Sequence, residues 1–281
     1  MGQVAILTDS SAYIPQDLLD QYHISSVPLT LHFEGQSYYD GVDITATELY
    51  TRMLTASELP TTSQVTVGQF NEVFQKLLDE GKEVFYAGIS HGISNTYESA
   101  LQSRENFPGA PIELLDTKLV SMALGFMVLT LARAAADGAS MPELKALADA
   151  TYPKIGVYFT VNDLIYLYKG GRINSAKRLL GSALNLKPLM EIREGKIELV
   201  ESVRSRKKAI ERMLELIEKH IDGAQPVRVA PFHALCLEEA LELQKTLDER
   251  FHPVENILAE VSPVIGSHVG PGTISVAFMA G

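Results

Sequence analysis

The chain has 281 residues, 46% hydrophobic and 21% charged, with a net charge of −11. That length suggests two compact domains rather than one, and the acidic balance argues against a nucleic-acid surface, which draws on clustered Lys and Arg. A single cysteine, Cys236, excludes an internal disulfide and fits a reducing, cytoplasmic compartment.

No basic segment with an apolar run and a small-residue cleavage site opens the sequence, so export is not expected. Residues 4–7 read as a buried strand ending in the polar cluster Thr8-Asp9-Ser10-Ser11. Pro15 starts a short helix, residues 27–33 form a second strand, and Glu34-Gly35 turns it back. Helical spacing covers residues 47–54 and 67–78, with the loop Thr61-Thr62-Ser63-Gln64 between them.

The stretch from Ala87 to Ala100 organises this half. Residues 84–87 are an apolar strand, glycines and serines break it, and helical spacing resumes near Ser94. A strand that ends in hydroxyl residues and opens a helix aims free N–H groups and a positive dipole end above the sheet, a suitable place for an anion. Ser94 then serves as N-cap and hydroxyl donor, although most serines so placed only cap their own helix. A strand at residues 112–115 and a long apolar helix from about Ser121 follow. The apolar run 119–136 is interrupted by Ser121, Gly125, Thr130 and Arg133, so a buried core helix is expected rather than a membrane span. The alternation of strands and helices predicts an α/β unit: a parallel sheet flanked by helices, with ligands at the carboxyl ends of its strands.

A shift near Pro153 divides the chain into an N-terminal α/β domain, residues 1–153, and a C-terminal α/β domain with a mixed sheet, residues 154–281. The second half reads as strand 155–159, short helix 163–168, tight turn Lys169-Gly170-Gly171-Arg172, helix 175–184, hairpin 189–192 with 197–203, and helix 206–220. Strand 227–230, helix 237–251, strand 257–261, the glycine-rich turn 265–272 and strand 273–279 close it.

Several motifs in this order carry a family resemblance: Thr8-Asp9-Ser10-Ser11, Val27-Pro28-Leu29, Thr62-Ser63-Gln64, Ser94 with Thr96-Tyr97, Lys169-Gly170-Gly171-Arg172-Ile173, Leu186-Lys187-Pro188, Arg204 and His268-Val269-Gly270-Pro271-Gly272. Each is weak alone; the ordered set, spanning almost the whole chain, resembles the DegV family and is similar to the fatty-acid-binding subunit of the bacterial fatty acid kinase. The resemblance implies a two-domain fold of the dihydroxyacetone-kinase-like class with a long-chain fatty acid between the domains. It implies no cofactor, and a non-catalytic role in which a separate ATP-binding kinase subunit phosphorylates the bound carboxylate to an acyl phosphate for phospholipid synthesis. Transient contact with a membrane surface would go with that role. Asn95 departs from the family pattern, standing where glycine normally follows the serine, and bears on the headgroup geometry.

The physical needs of a fatty acid agree. Its ionised head must not be buried unpaired, and water rejects its tail. Thr62, Ser94 and Asn95, with N–H groups at the helix start, form the expected carboxylate shell: neutral donors bind the charge while leaving it reactive, whereas an arginine clamped on both oxygens would stabilise the ground state. Burying about 14 methylenes at roughly 0.8 kcal/mol each supplies on the order of 11 kcal/mol before association costs. Lining candidates are residues 119–131, Ile165, Leu167, Leu189, Ile192 and Ile265, each also readable as ordinary core. Arg172, Arg204 and His268 form a second set, placed by the resemblance near the headgroup, for phosphotransfer or kinase docking. No P-loop, nucleophile elbow or metal-binding His/Cys pattern occurs. The alternative function is an enzyme acting on a small anionic metabolite at the same strand ends, with His268 as acid or base.

Overall fold

The computed structural model describes residues 3–180 and 186–281. Its first sheet is parallel and four-stranded, in spatial order Ser25–Val27, Val4–Asp9, Glu83–Gly88 and Ile112–Asp116. The two central strands are almost wholly buried, as strands covered by helices on both faces must be. The chain leaves Val4–Asp9 towards one edge and later returns to its other side with Glu83–Gly88, so a crevice opens beyond the carboxyl ends of these neighbours.

The expected strand over residues 27–33 is two strands. Ser25–Val27 edges the parallel sheet, while Thr30–Phe33 is the centre of a small antiparallel sheet between Gln36–Tyr39 and Thr61–Ser63. Pro28 causes the break, because it has no N–H for a ladder. Leu29 N–H bonds instead to the Ser10 hydroxyl at 3.1 Å.

The second half forms the expected mixed sheet. Its order is Lys196–Val203, Lys187–Arg193, Ile155–Thr160, Ile274–Ala280 and Val227–His233, the last flanked by the short parallel strands Glu255–Asn256 and Ala259–Glu260. Those two short pieces replace the single strand expected at residues 257–261.

Helix Ser121–Ala136 lies between the two large sheets. It packs on Val4–Asp9 and Glu83–Gly88 on one side and on Ile155–Thr160 and Ile274–Ala280 on the other. That position explains its apolar circumference, and one continuous core runs through it into both halves. The mixed sheet's other face carries a second core beneath the amphipathic helices Arg206–Ile221 and Leu237–Phe251. Among the described residues, no helix is long and apolar enough to cross a membrane.

Two helices escaped the sequence reading. Met141–Thr151 begins with a capping box between Ser140 and Glu143, a signal visible in the sequence. Pro263–Val269 replaces most of the expected glycine-rich turn, so His268 stands on a helix. Ser262 as N-cap and Pro263 in the first turn announce it. Of the helix expected at 175–184, Asn174–Leu179 forms a 3-10 helix; residues 181–184 lie outside the described residues.

Candidate functional site

Between the apolar helix and the inner face of the mixed sheet lies a narrow cavity with a free volume of about 60 Å³. Five strands line it. Val157 and Phe159 come from Ile155–Thr160, Ser275 from Ile274–Ala280, Phe232 from Val227–His233, and Ile192 and Ile197 from the hairpin. Val120 and Ser121 contribute from the start of the apolar helix, Val261, Ile265 and Val269 from around the His268 helix, and Ile93 from the loop after Glu83–Gly88. Among the described residues, Arg172 is its one formally charged lining residue.

Of the tail candidates from the sequence, Ile192, Ile265 and the first residues of the 119–131 run line this cavity. Ile165, Leu167 and Leu189 do not; Leu167 is in the main core and Leu189 in the second. The lining residues Val157, Phe159, Phe232 and Val261 were not anticipated. Their signal was period-two alternation along the strands, which identifies a face but not which part of that face is hollow. Ser121 is buried and holds φ 55°, a left-handed conformation that costs a serine energy and persists only where packing enforces it.

At one end the cavity meets an open polar recess lined by residues 57–62, Tyr166, Lys169, Gly170 and Ser267. Arg172 and His268 line both spaces and so form the partition. The Arg172 Nε donates to the Ile93 carbonyl at 3.2 Å, and an Nη1 hydrogen goes to the Gly170 carbonyl. No carboxylate among the described residues pairs with it, and burial alone pulls its proton affinity below the ordinary arginine value. A half-buried guanidinium facing an apolar space without a counter-charge is a strong attractor for an anion.

His268 Nε2 lies 2.8 Å from the Thr62 hydroxyl. Its Nδ1 is buried without a partner among the described residues. Burial, then the nearby Arg172 charge, pulls its pKa down to about 4, so the imidazole is neutral at pH 7. Gly170 makes room for the ring: a Cβ there would run into Nδ1.

The remaining expected residues take different positions. Ser94 is one residue outside the N-cap; helix Thr96–Arg104 has Asn95 at that place, with no side-chain capping bond. The Ser94 hydroxyl accepts from Thr96 N–H at 3.2 Å and lies 3.0 Å from Thr96 Oγ1, which accepts from Val65 N–H at 3.3 Å. Ser94 therefore ties its loop to the segment after Thr62, and it lines neither space. Asn95 is exposed and also outside the lining. Arg204 is exposed and lines neither space. The cavity end presents a cation and a neutral imidazole, with Thr62 behind the imidazole.

The hairpin closes over the organising loop. Ser90 donates to the Gly195 carbonyl at 2.8 Å, joining the tip of the hairpin to the end of the parallel sheet. Among the described residues, no group of three or more His, Cys, Asp or Glu side chains is placed to hold a metal ion.

A fold of two α/β units around a greasy cavity with a cationic end defines a class of proteins suited to an amphipathic acid. The DegV family model, described as an uncharacterised protein family, matches residues 3–281. A DegV domain-containing protein of Clostridium acetobutylicum is 34% identical over 279 residues, covering 98% of this chain and 97% of that protein. Among solved structures, a fatty-acid-binding DegV family protein from Thermus thermophilus superposes with a TM-score of 0.94 at 31% identity, covering 99% of each chain. DegV from Bacillus subtilis, a fatty acid binding protein, gives 0.91 at 30% identity over 100% of each. The chain belongs to the DegV family.

Proposed function

We propose that this protein binds one long-chain fatty acid between the units formed by residues 1–153 and 154–281, and presents the carboxylate to a separate ATP-dependent kinase subunit. The observation that carries the reading is Arg172, a guanidinium without a counter-ion among the described residues, at the end of a mostly apolar cavity. The tail takes the cavity and displaces poorly held water, while the carboxylate supplies the missing charge.

Two of the five guanidinium N–H donors are spent on the Ile93 and Gly170 carbonyls. The remainder meets the acid from one side, leaving an oxygen facing the polar recess where a phosphoryl donor has access. Neutral His268 adds no second positive charge to the partition. Thr62 orients the ring, and Ser94 holds the loop that carries Ile93. Exposed Arg204 suits the docking of the kinase subunit rather than the headgroup. The protein itself is the carrier and the partner the phosphotransferase; the product is an acyl phosphate for phospholipid synthesis in the cytoplasm. Solved DegV relatives that bind fatty acids support the first part of this reading.

Incubation of the protein with palmitate, ATP and a bacterial fatty acid kinase subunit, followed by hydroxylamine trapping, tests the presentation step. Palmitoyl hydroxamate is expected only when both proteins are present. Its formation by this protein alone, or its absence with a kinase active on another DegV carrier, contradicts the proposal.

A further inference from the structure

Helix Pro263–Val269 is only seven residues long, yet it holds His268 against Thr62 from a distant part of the chain. Its N-terminus is fastened by Asp40, a residue outside both spaces of the site. The Asp40 carboxyl is buried, and its Oδ1 accepts from Val264 N–H at 3.0 Å in the first turn of that helix. Its Oδ2 accepts from the Ser10 hydroxyl at 2.7 Å, and Ser10 Oγ accepts in turn from Leu29 N–H. The Asp40 N–H donates to the Leu29 carbonyl at 3.0 Å.

One carboxyl thus joins the end of strand Val4–Asp9, the entry to strand Thr30–Phe33 and the helix of His268. Strand Thr30–Phe33 pairs with Thr61–Ser63, with Leu31 opposite Thr62. Both partners of the Thr62–His268 bond therefore hang on the Asp40 junction. Tyr50 adds a second anchor, donating to the Val261 and Ser262 carbonyls.

We propose that Asp40 is a positioning residue for the acid headgroup: it sets the His268 helix against the Thr62 strand, and so determines how well the partition recognises a carboxylate. The ligand-binding consequence rests on the fatty-acid reading; the effect on the His268 ring does not.

Burial raises the Asp40 carboxyl to about 7, with Asp9 adding to the rise. Near neutrality many molecules therefore carry a proton there, and the junction works through hydrogen-bond geometry rather than through full charge. An amide has the same shape and accepts the Val264 N–H equally, whereas a leucine of similar size accepts nothing.

The test compares Asp40→Asn and Asp40→Leu with wild type in palmitate and hexadecanol binding and in the imidazole nitrogen resonances of His268 in unliganded protein. Asp40→Leu is expected to weaken palmitate about tenfold while leaving hexadecanol within about twofold, and to shift the His268 resonances as Thr62→Val does. Asp40→Asn is expected to restore both readouts. Unchanged palmitate affinity and resonances in Asp40→Leu overturn the proposal, as does an equal loss for both ligands, which marks a general packing defect. Wild-type protein that binds no palmitate contradicts the fatty-acid reading instead, and the resonances then decide the Asp40 question alone.

Discussion

The Thr62 hydroxyl and His268 Nε2 stand 2.8 Å apart, joining residues 206 positions apart in the chain. The bond clamps the last helix to the small antiparallel sheet at the cavity end that Arg172 lines. Thr62→Val keeps the side-chain volume and removes the hydroxyl, leaving both ring nitrogens without a partner. Calorimetric titration with palmitate should show affinity reduced by about 1–2 kcal/mol, roughly five- to thirty-fold. Unchanged affinity would take this bond out of the site.

Among the described residues, Arg172 supplies the only formal charge on the cavity wall. Arg172→Met retains the apolar stem and removes the guanidinium. Palmitate binding should weaken by about 2–3 kcal/mol, the scale of a hydrogen bond to a charged group, with hexadecanol affinity little changed. An equal loss for acid and alcohol would assign Arg172 a packing role.

Protonation of His268 opposes the fold. Its pKa falls from 6.5 to about 4 on folding, so its contribution is fully present above pH 6.5 and is lost as pH falls through 4. A depression of that size corresponds to about 3 kcal/mol at roughly 1.4 kcal/mol per pH unit. Urea unfolding at pH 7 and pH 4 should therefore show a larger acid-induced loss in wild type than in His268→Gln. Asp40, whose raised pKa contributes with the opposite sign over this range, cancels because both proteins carry it. Equal losses in the two proteins would refute the buried neutral imidazole.

Ser275 sits in the ladder between two phenylalanines, opposite Phe232 on one side and Phe159 on the other. All three line the cavity, and the serine leaves the gap between the rings. Ser275→Leu should fill that gap and shift preference towards shorter acids, with stearate weakened more than decanoate in a competition titration. A uniform loss across chain lengths would place the tail elsewhere.

How far the site was legible in sequence depends on the kind of constraint. The parallel sheet and the apolar helix were readable because burial on both faces leaves near-continuous apolar runs at Val4–Asp9, Glu83–Gly88 and Ser121–Ala136. The hairpin was readable from Glu194-Gly195. His268 and Arg172 entered through motif order; spacing alone does not indicate that they share a wall, since that depends on two loops and a helix distant in the chain. For Ser94 the sequence leaves two roles open, because a hydroxyl at a helix start serves equally well to bind an anion or to organise its own turn; its oxygen accepts from Thr96 N–H. The split at Pro28 was legible from the missing N–H, and the His268 helix from Ser262-Pro263. The hollow itself was not, because a lining valine and a packed valine share the same pattern.

Denaturing mass spectrometry of the protein purified from bacterial cells tests the central claim most directly. A long-chain fatty acid near one per chain in wild type, and strongly reduced in Arg172→Met, is the expected result. Wild-type protein that carries no acyl chain, and takes up none when palmitate is supplied, would contradict it.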